Sequence, residues 1–255
     1  MGRKDLESFS GIFNWTMTYR RDSDIFHPYG RIIKTENGEE SQDFLSKKTK
    51  FAAGVISNCF ADSKREVLIE QLKNEGLQID IFGKCGIPIC PHGVRANQNC
   101  TETDFWKMLA RDYKFYLAFE NALCLDYVTE KFFRTLELGL VPVVYGGADY
   151  DEIAPPNSFV NVESFESPKE LAKFLIELDA KPKEYKKYFE WRKTHKVVKG
   201  IGACDLCEKI RKHNLERSQG KVHVPKVYSN LQKWWTHYPF PFEEKEACRR
   251  PTKYE

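Results

Sequence analysis

Five short apolar runs leave few folds open to this chain. They are "FAAGVIS" (51–57), "LQIDIFG" (77–83), "KFYLAF" (114–119), "LVPVVYG" (140–146) and "SFVNVES" (158–164). Strands that are apolar at successive positions are buried on both faces, which is the pattern of a parallel sheet. The gaps between them carry helical periodicity. From Arg65, Val67, Leu68 and Leu72 fall on one side; "DFWKMLARDY" (104–113) is a short helix, and Thr129 to Leu138 another. Ser167-Pro168-Lys169-Glu170 is a capping box with proline in the first turn. The helix it opens has an apolar face of Leu171, Phe174, Leu175 and Leu178. Strands alternating with helices of about ten residues predict βαβ units, and so a Rossmann-like α/β fold with a parallel sheet and flanking helices.

The chain divides into three stretches. Residues 1–50 lead into the domain and carry "NWTMTYRRDSD"; residues 51–200 hold the strand–helix alternation; residues 201–255 bring a CxxC-containing helix and an aromatic, basic tail predicted to pack back on the domain. The net charge of +3 comes from 40 basic and 37 acidic residues that are well mixed, which gives no argument for nucleic acid. No run approaches 18 apolar residues, and residues 1–11 have no hydrophobic signal core. The eight cysteines point elsewhere. The spacing in "KCGIPICPHGVRANQNC" (84–100) predicts a locally stapled loop, with its connectivity open. Sequons at Asn14 and Asn99 add mild support for a secretory compartment.

Polar residues crowd one strand–helix junction. In "FENALCLDYVTEKFFRTLELGLVPVVYGG" (119–147), Glu120, Asn121, Asp126, Tyr127, Thr129, Glu130 and Lys131 separate a strand from the next helix. Ligands of such sheets sit at the carboxyl ends of strands, where a helix N-terminus offers free N–H groups and partial positive charge. Thr129 is the expected N-cap. Lys131 can meet phosphate oxygens, and Glu130 can accept from a ribose diol. Tyr116 and Tyr127 could pack on a base or sugar. Ordinary capping chemistry also explains Thr-Glu-Lys by itself. With no GxGxxG and no Walker motif, the residues alone lead to a nucleotide or phosphate ligand and no further.

The same stretch resembles the signature of the α1,3-fucosyltransferases that use GDP-fucose. "FNWTMTYRRDSDIFHPYGRI" (13–32), "VISNCFADSKR" (55–65), "SPKELAKFLIELD" (167–179), "YFEWRK" (188–193) and "ACDLCEKIRKH" (203–213) are similar to further family segments, in the family's order. The resemblance implies a GT-B glycosyltransferase of two facing Rossmann-like halves, of which this chain supplies the C-terminal, donor-binding half. It implies an inverting transfer of L-fucose from GDP-fucose to N-acetylglucosamine of glycoprotein glycans in the Golgi lumen. No cofactor or metal is expected to be required, since Arg65, Lys131 and a helix N-terminus make a cation on the diphosphate redundant. By motif position Tyr19, Asn58, Arg65, Tyr116, Asn121, Tyr127, Glu130 and Lys131 line the donor site. Arg65 and Lys131 would act in catalysis by neutralising the departing diphosphate.

The family's membrane anchor and most of its acceptor-binding half would precede residue 1, and the general base is expected there, outside this chain. A non-catalytic GDP-sugar-binding fragment is the alternative reading. The resemblance also implies that Cys204 and Cys207 bridge to that upstream half, so they are expected to be unpaired here. A zinc site joining them to His195 and His213 is poorly spaced. Asp22-Ser23-Asp24 has metal-ligand spacing but follows two arginines, so an ion pair is expected. "KWWTHYPF" (233–240) reads as aromatic packing in the tail.

Overall fold

The computed structural model describes residues 6–38, 48–89, 101–199, 202–221, 227–239 and 244–251. Its centre is a parallel sheet of β2 (Lys50–Val55), β3 (Ile79–Phe82), β4 (Tyr113–Phe119), β5 (Val141–Tyr145) and β6 (Val160–Asn161), in the order β3-β2-β4-β5-β6. Every pairing in it is parallel, with Ala52 opposite Ile79 and Phe115, and Leu117 opposite Val143. The sheet is doubly wound. Its direction of winding reverses between β2 and β4, and a crevice opens there at the carboxyl ends.

Alternation within β4 explains both layers of the core. Phe115, Leu117 and Phe119 face α1 (Arg65–Asn74) and α4 (Pro168–Asp179), against Leu68, Leu72, Leu171 and Leu175. Tyr116 and Ala118 face the opposite layer, with Phe105 and Leu109 of α2 (Glu102–Asp112) and Phe132, Phe133 and Leu136 of α3 (Glu130–Glu137). Phe115, Leu72, Leu171 and Phe132 are fully buried. Burying a side chain of that kind contributes about 1.5–3 kcal/mol.

The strand and helix expectations hold, with differences at the edges. "SFVNVES" yields only the two-residue β6, because Val162–Ser164 turns into a 3-10 helix capped by Asn161. At α4, Glu170 donates its N–H to Ser167 Oγ at 3.3 Å, while its carboxylate accepts from Glu166 N at 3.0 Å, one residue earlier than the box predicts. An antiparallel pair that the residue pattern does not announce joins β1 (Gly30–Lys34) to β7 (His195–Lys199) beside α3. Gly30 is required there, since a Cβ would fall 2.5 Å from the Phe133 ring.

The remaining helices are α5 (Pro182–Lys187), α6 (Gly202–Ser218) and α7 (Leu231–Thr236). The tail packs back on residues 11–28. Tyr228 N donates to Phe13 O at 3.1 Å, and Tyr228 Oη donates to Asp24 at 2.6 Å. The "KWWTHY" aromatics surround Arg20, whose guanidinium lies 4.5 Å from the Trp234 ring and 3.8 Å from that of Tyr238. Asp22 takes a bidentate bond from Arg20, at 2.8 and 2.7 Å, the ion pair expected from the preceding arginines.

The cysteines correct the local-staple expectation. Cys85 bonds to Cys59 and Cys124 to Cys248, so both bridges span distant segments. Cys90, Cys100 and the Asn99 sequon lie outside the described residues. Cys204 and Cys207 are free and exposed, and Asn14 is exposed. No helix among the described residues is long and apolar enough to cross a membrane.

Candidate functional site

The crevice at the reversal point is built from the ends of β2 and β4 and the start of α3. Thr129 caps α3 with extended backbone. Phe132, Phe133 and Leu136 hold the helix on the sheet. Gly139, at φ +67°, ends it: Gly139 N bonds to Leu136 O at 3.3 Å and Leu140 N to Thr135 O at 3.2 Å, a Schellman pattern. The helix N-terminus is thereby aimed at the loop that follows β4.

Glu120 lies under that N-terminus with no exposed surface. Its carboxylate accepts from Thr129 N at 2.8 Å, from Thr129 Oγ1 at 2.9 Å and from Lys131 Nζ at 3.1 Å. Lys131 Nζ also donates to Thr129 Oγ1 at 2.8 Å and lies 3.6 Å from Glu130. Burial raises the Glu120 carboxyl above the ordinary value, and the Lys131 charge opposes the rise. The structure gives Lys131 a buried partner eleven residues away across the loop.

Arg65 is 2% exposed at the start of α1. Its NH1 donates to Phe119 O at 2.7 Å and its NH2 to Asn58 O at 3.1 Å. Nε has no partner among the described residues. Burial lowers its affinity for the proton, and Glu120 offsets this in part. Ser63 locks the two loops together through Glu120 O at 2.7 Å and Asn121 O at 3.0 Å. Asn121 carries a buried Oδ1 with no partner among the described residues.

The other expected residues sit at different depths. Asn58 is exposed at the end of β2, while Tyr116 is 1% exposed, inside the α2–α3 layer with the Trp106 ring at 6.0 Å. Burial pushes the Tyr116 hydroxyl well above its usual range. Tyr127 is buried, its ring 5.0 Å from that of Tyr19, which meets Trp235 at 5.8 Å. Burial raises the Tyr19 hydroxyl to about 12. Tyr19 and Glu130 also line an open cavity of about 580 Å³ with Tyr29, Arg134 and Lys199. No group of three or more His, Cys, Asp or Glu able to hold a metal ion occurs among the described residues.

Sequence reasoning gave no role to Ser63, although it lies in the 55–65 segment, nor to Asp126 as a fixed hub. Asp126 has φ +61° and accepts from Arg21 N at 2.9 Å and Tyr238 Oη at 2.6 Å. An aspartate in a loop tolerates that conformation, but only the fold shows what it holds.

The order of these segments matches a known family. A family model described as glycosyltransferase family 10 (fucosyltransferase) C-term matches residues 45–234, and one described as fucosyltransferase, N-terminal, matches residues 2–30. The chain belongs to glycosyltransferase family 10. It is 40% identical over 250 residues to alpha-(1,3)-fucosyltransferase C of Drosophila melanogaster, covering 90% of this chain and 55% of that protein. Glycoprotein 3-alpha-L-fucosyltransferase A of Drosophila melanogaster is 37% identical, over 87% of this chain and 43% of its own length. A 3-galactosyl-N-acetylglucosaminide 4-alpha-L-fucosyltransferase of Bos taurus is 42% identical, over 89% and 59%. The chain thus spans about half the length of these curated family members.

Proposed function

We propose that this chain forms the GDP-fucose site of an inverting α1,3-fucosyltransferase acting on N-acetylglucosamine of glycoprotein glycans. The observation that carries the reading is the unfinished polar cluster at the sheet's reversal point. Among the described residues, Arg65 Nε and Asn121 Oδ1 are buried without partners, and Lys131 uses two of its three N–H donors. Buried polar groups are normally satisfied, so a cluster short of partners at this position is suited to a ligand rich in oxygens. A diphosphate beside a helix N-terminus and a sugar offering hydroxyls meet those needs.

The chemistry follows from the charges. As the bond between fucose C1 and the diphosphate breaks, negative charge grows on the leaving oxygen. Lys131, the α3 amides and Arg65 stabilise that charge, while the sugar becomes oxocarbenium-like. Tyr19, Asn58, Tyr116, Asn121, Tyr127 and Glu130 complete the donor site in this reading. Glu120 is fully buried and spends its oxygens on Thr129 and Lys131, so it positions α3 and does not deprotonate the acceptor. In this reading the base is no part of the donor site. The printed names of the relatives support fucose transfer and differ over linkage, 3-alpha in one and 4-alpha in another.

The Golgi lumen is the proposed compartment. Two long-range disulfides and an exposed Asn14 sequon fit an oxidising, glycosylating environment. The test is transfer of radiolabelled fucose to a glycopeptide, run beside calorimetric titration with GDP. GDP binding supports the donor reading. Its absence from the folded chain overturns it, and fucose transfer by the 255 residues alone overturns the expectation that the base lies outside them.

A further inference from the structure

The loop between β4 and α3 is closed at its ends by Thr129 N and Oγ1 on the Glu120 carboxylate. Between them, Tyr127 N reaches Cys124 O at 3.2 Å and Val128 N reaches Asp126 O at 3.0 Å. The middle of the loop takes further bonds from elsewhere. Leu123–Cys124 pairs antiparallel with Cys248–Arg249, and Cys124 is bonded to Cys248. Leu125 N donates to Ala247 O at 2.8 Å. Tyr238 Oη donates to Asp126 Oδ2 at 2.6 Å, and Arg21 N meets the same oxygen at 2.9 Å. Three consecutive residues, 124, 125 and 126, are therefore each tied to the last part of the chain.

That part is itself anchored. Arg20 donates to Trp235 O and His237 O, both at 2.8 Å, between the Trp234 and Tyr238 rings. Ala247 N bonds to Thr236 O at 2.7 Å. Trp235 then meets Tyr19, which meets Tyr127. Both tyrosines belong to the proposed donor site, on which this inference rests.

We propose that residues 235–238 and 247–248 are a working part of the donor site, a clamp that holds the 121–128 loop in its ligand-binding shape. Cys124, Asp126, Tyr238 and Cys248 are positioning residues that act through Asn121 and Tyr127. A loop that wanders among conformations binds more weakly in proportion to the fraction of time it spends in the competent one. Fixing each residue of such a loop costs conformational entropy. The clamp meets that cost during folding, before the ligand arrives.

The test compares wild type, Tyr238→Phe and the double variant Cys124→Ala/Cys248→Ala in the full 255-residue chain. Tyr238→Phe keeps the ring over Arg20 and removes only the hydroxyl. The double variant removes the cross-link without leaving an odd thiol. GDP affinity, amide hydrogen exchange and the urea midpoint are measured for each. The clamp predicts GDP binding weaker by about threefold in Tyr238→Phe and about tenfold in the double variant. Exchange should quicken across 121–128 and stay unchanged in α4, and saturating GDP should restore the protection. Unchanged affinity and exchange in both variants overturn the clamp. So does a loss of affinity accompanied by faster exchange throughout the chain, which marks general destabilisation. If wild type binds no GDP, the donor reading fails on its own account. The clamp is then judged by exchange: quickening confined to 121–128 upholds it as a device that shapes the loop, and no change overturns it.

Discussion

Two arginines are buried to the same degree in this molecule, Arg20 at 1% and Arg65 at 2% exposure, and they are in opposite states. Arg20 has four of its five N–H donors placed. Its Nε and one NH2 donor hold Asp22, the other NH2 donor holds His237 O, one NH1 donor holds Trp235 O, and aromatic rings cover it. Arg65 has two carbonyls, an unpartnered Nε and no carboxylate in bonding range among the described residues. A buried cation paired with a carboxylate and enclosed by carbonyls and rings is architecture, because any ligand would have to break bonds to reach it. One that lacks a counter-ion, at the carboxyl edge of a parallel sheet, is equipped for an anion. The positions of the two in the fold agree. Arg20 joins the chain's two ends, and Arg65 joins β2 to β4 at the point where the winding reverses.

That contrast breaks most visibly at Arg20. Arg20→Met leaves Asp22 and two carbonyls facing apolar surface, and should cost about 3–5 kcal/mol in urea denaturation. A loss below 1 kcal/mol would mean that the cluster is not structural. Arg65→Met and Lys131→Ala should each weaken GDP binding by about 1.5–3 kcal/mol, roughly 10- to 100-fold, with less effect on the unfolding midpoint than Arg20→Met. Calorimetry on the folded variants checks this, and equal GDP affinity in all three proteins would erase the distinction between the arginines.

A smaller effect concerns pH. Burial lifts the Glu120 carboxyl above its ordinary value of 4.5. The folded chain therefore holds this proton more tightly than the unfolded chain. The resulting stability is fully present below pH 4.5 and is lost as pH rises through the folded value, at no more than about 1.4 kcal/mol per pH unit. Glu120→Gln removes the titration, so its stability should fall less than that of wild type between pH 4.5 and neutrality. Parallel pH profiles for the two proteins would place the Glu120 carboxyl at its unfolded value. The smallest expected effect is that of EDTA, which should leave GDP affinity unchanged. Arg65, Lys131 and the α3 amides already supply the positive field a diphosphate needs. Loss of binding on chelation would show that these charges do not suffice.

The comparison also marks what could be read from residues alone. β4 and β5 were legible because their apolar runs have a single solution in a two-layered core, and α3 because Thr129 and the Phe132–Leu136 stripe specify it locally. Glu120 was not legible as a buried partner of Lys131, since the turn that brings them together is a property of the loop and not of their spacing. Cys124 and Cys248 are 124 residues apart, and no periodicity links them. Arg20 read as part of a short basic run, because the Trp234 and Tyr238 rings that enclose it arrive from the other end of the chain. Motif order nominated the residues proposed for the site. Depth, pairing and the unfinished state of Arg65 came only from the fold.

Amide hydrogen exchange of the wild-type chain with and without GDP tests the central claim most directly, because it reports where the nucleotide sits. Binding at the reversal point predicts new protection in residues 56–65 and 120–131, with the amides of residues 20–24 unchanged. GDP that binds without protecting either of those two stretches, or that protects residues 20–24 instead, would contradict the account.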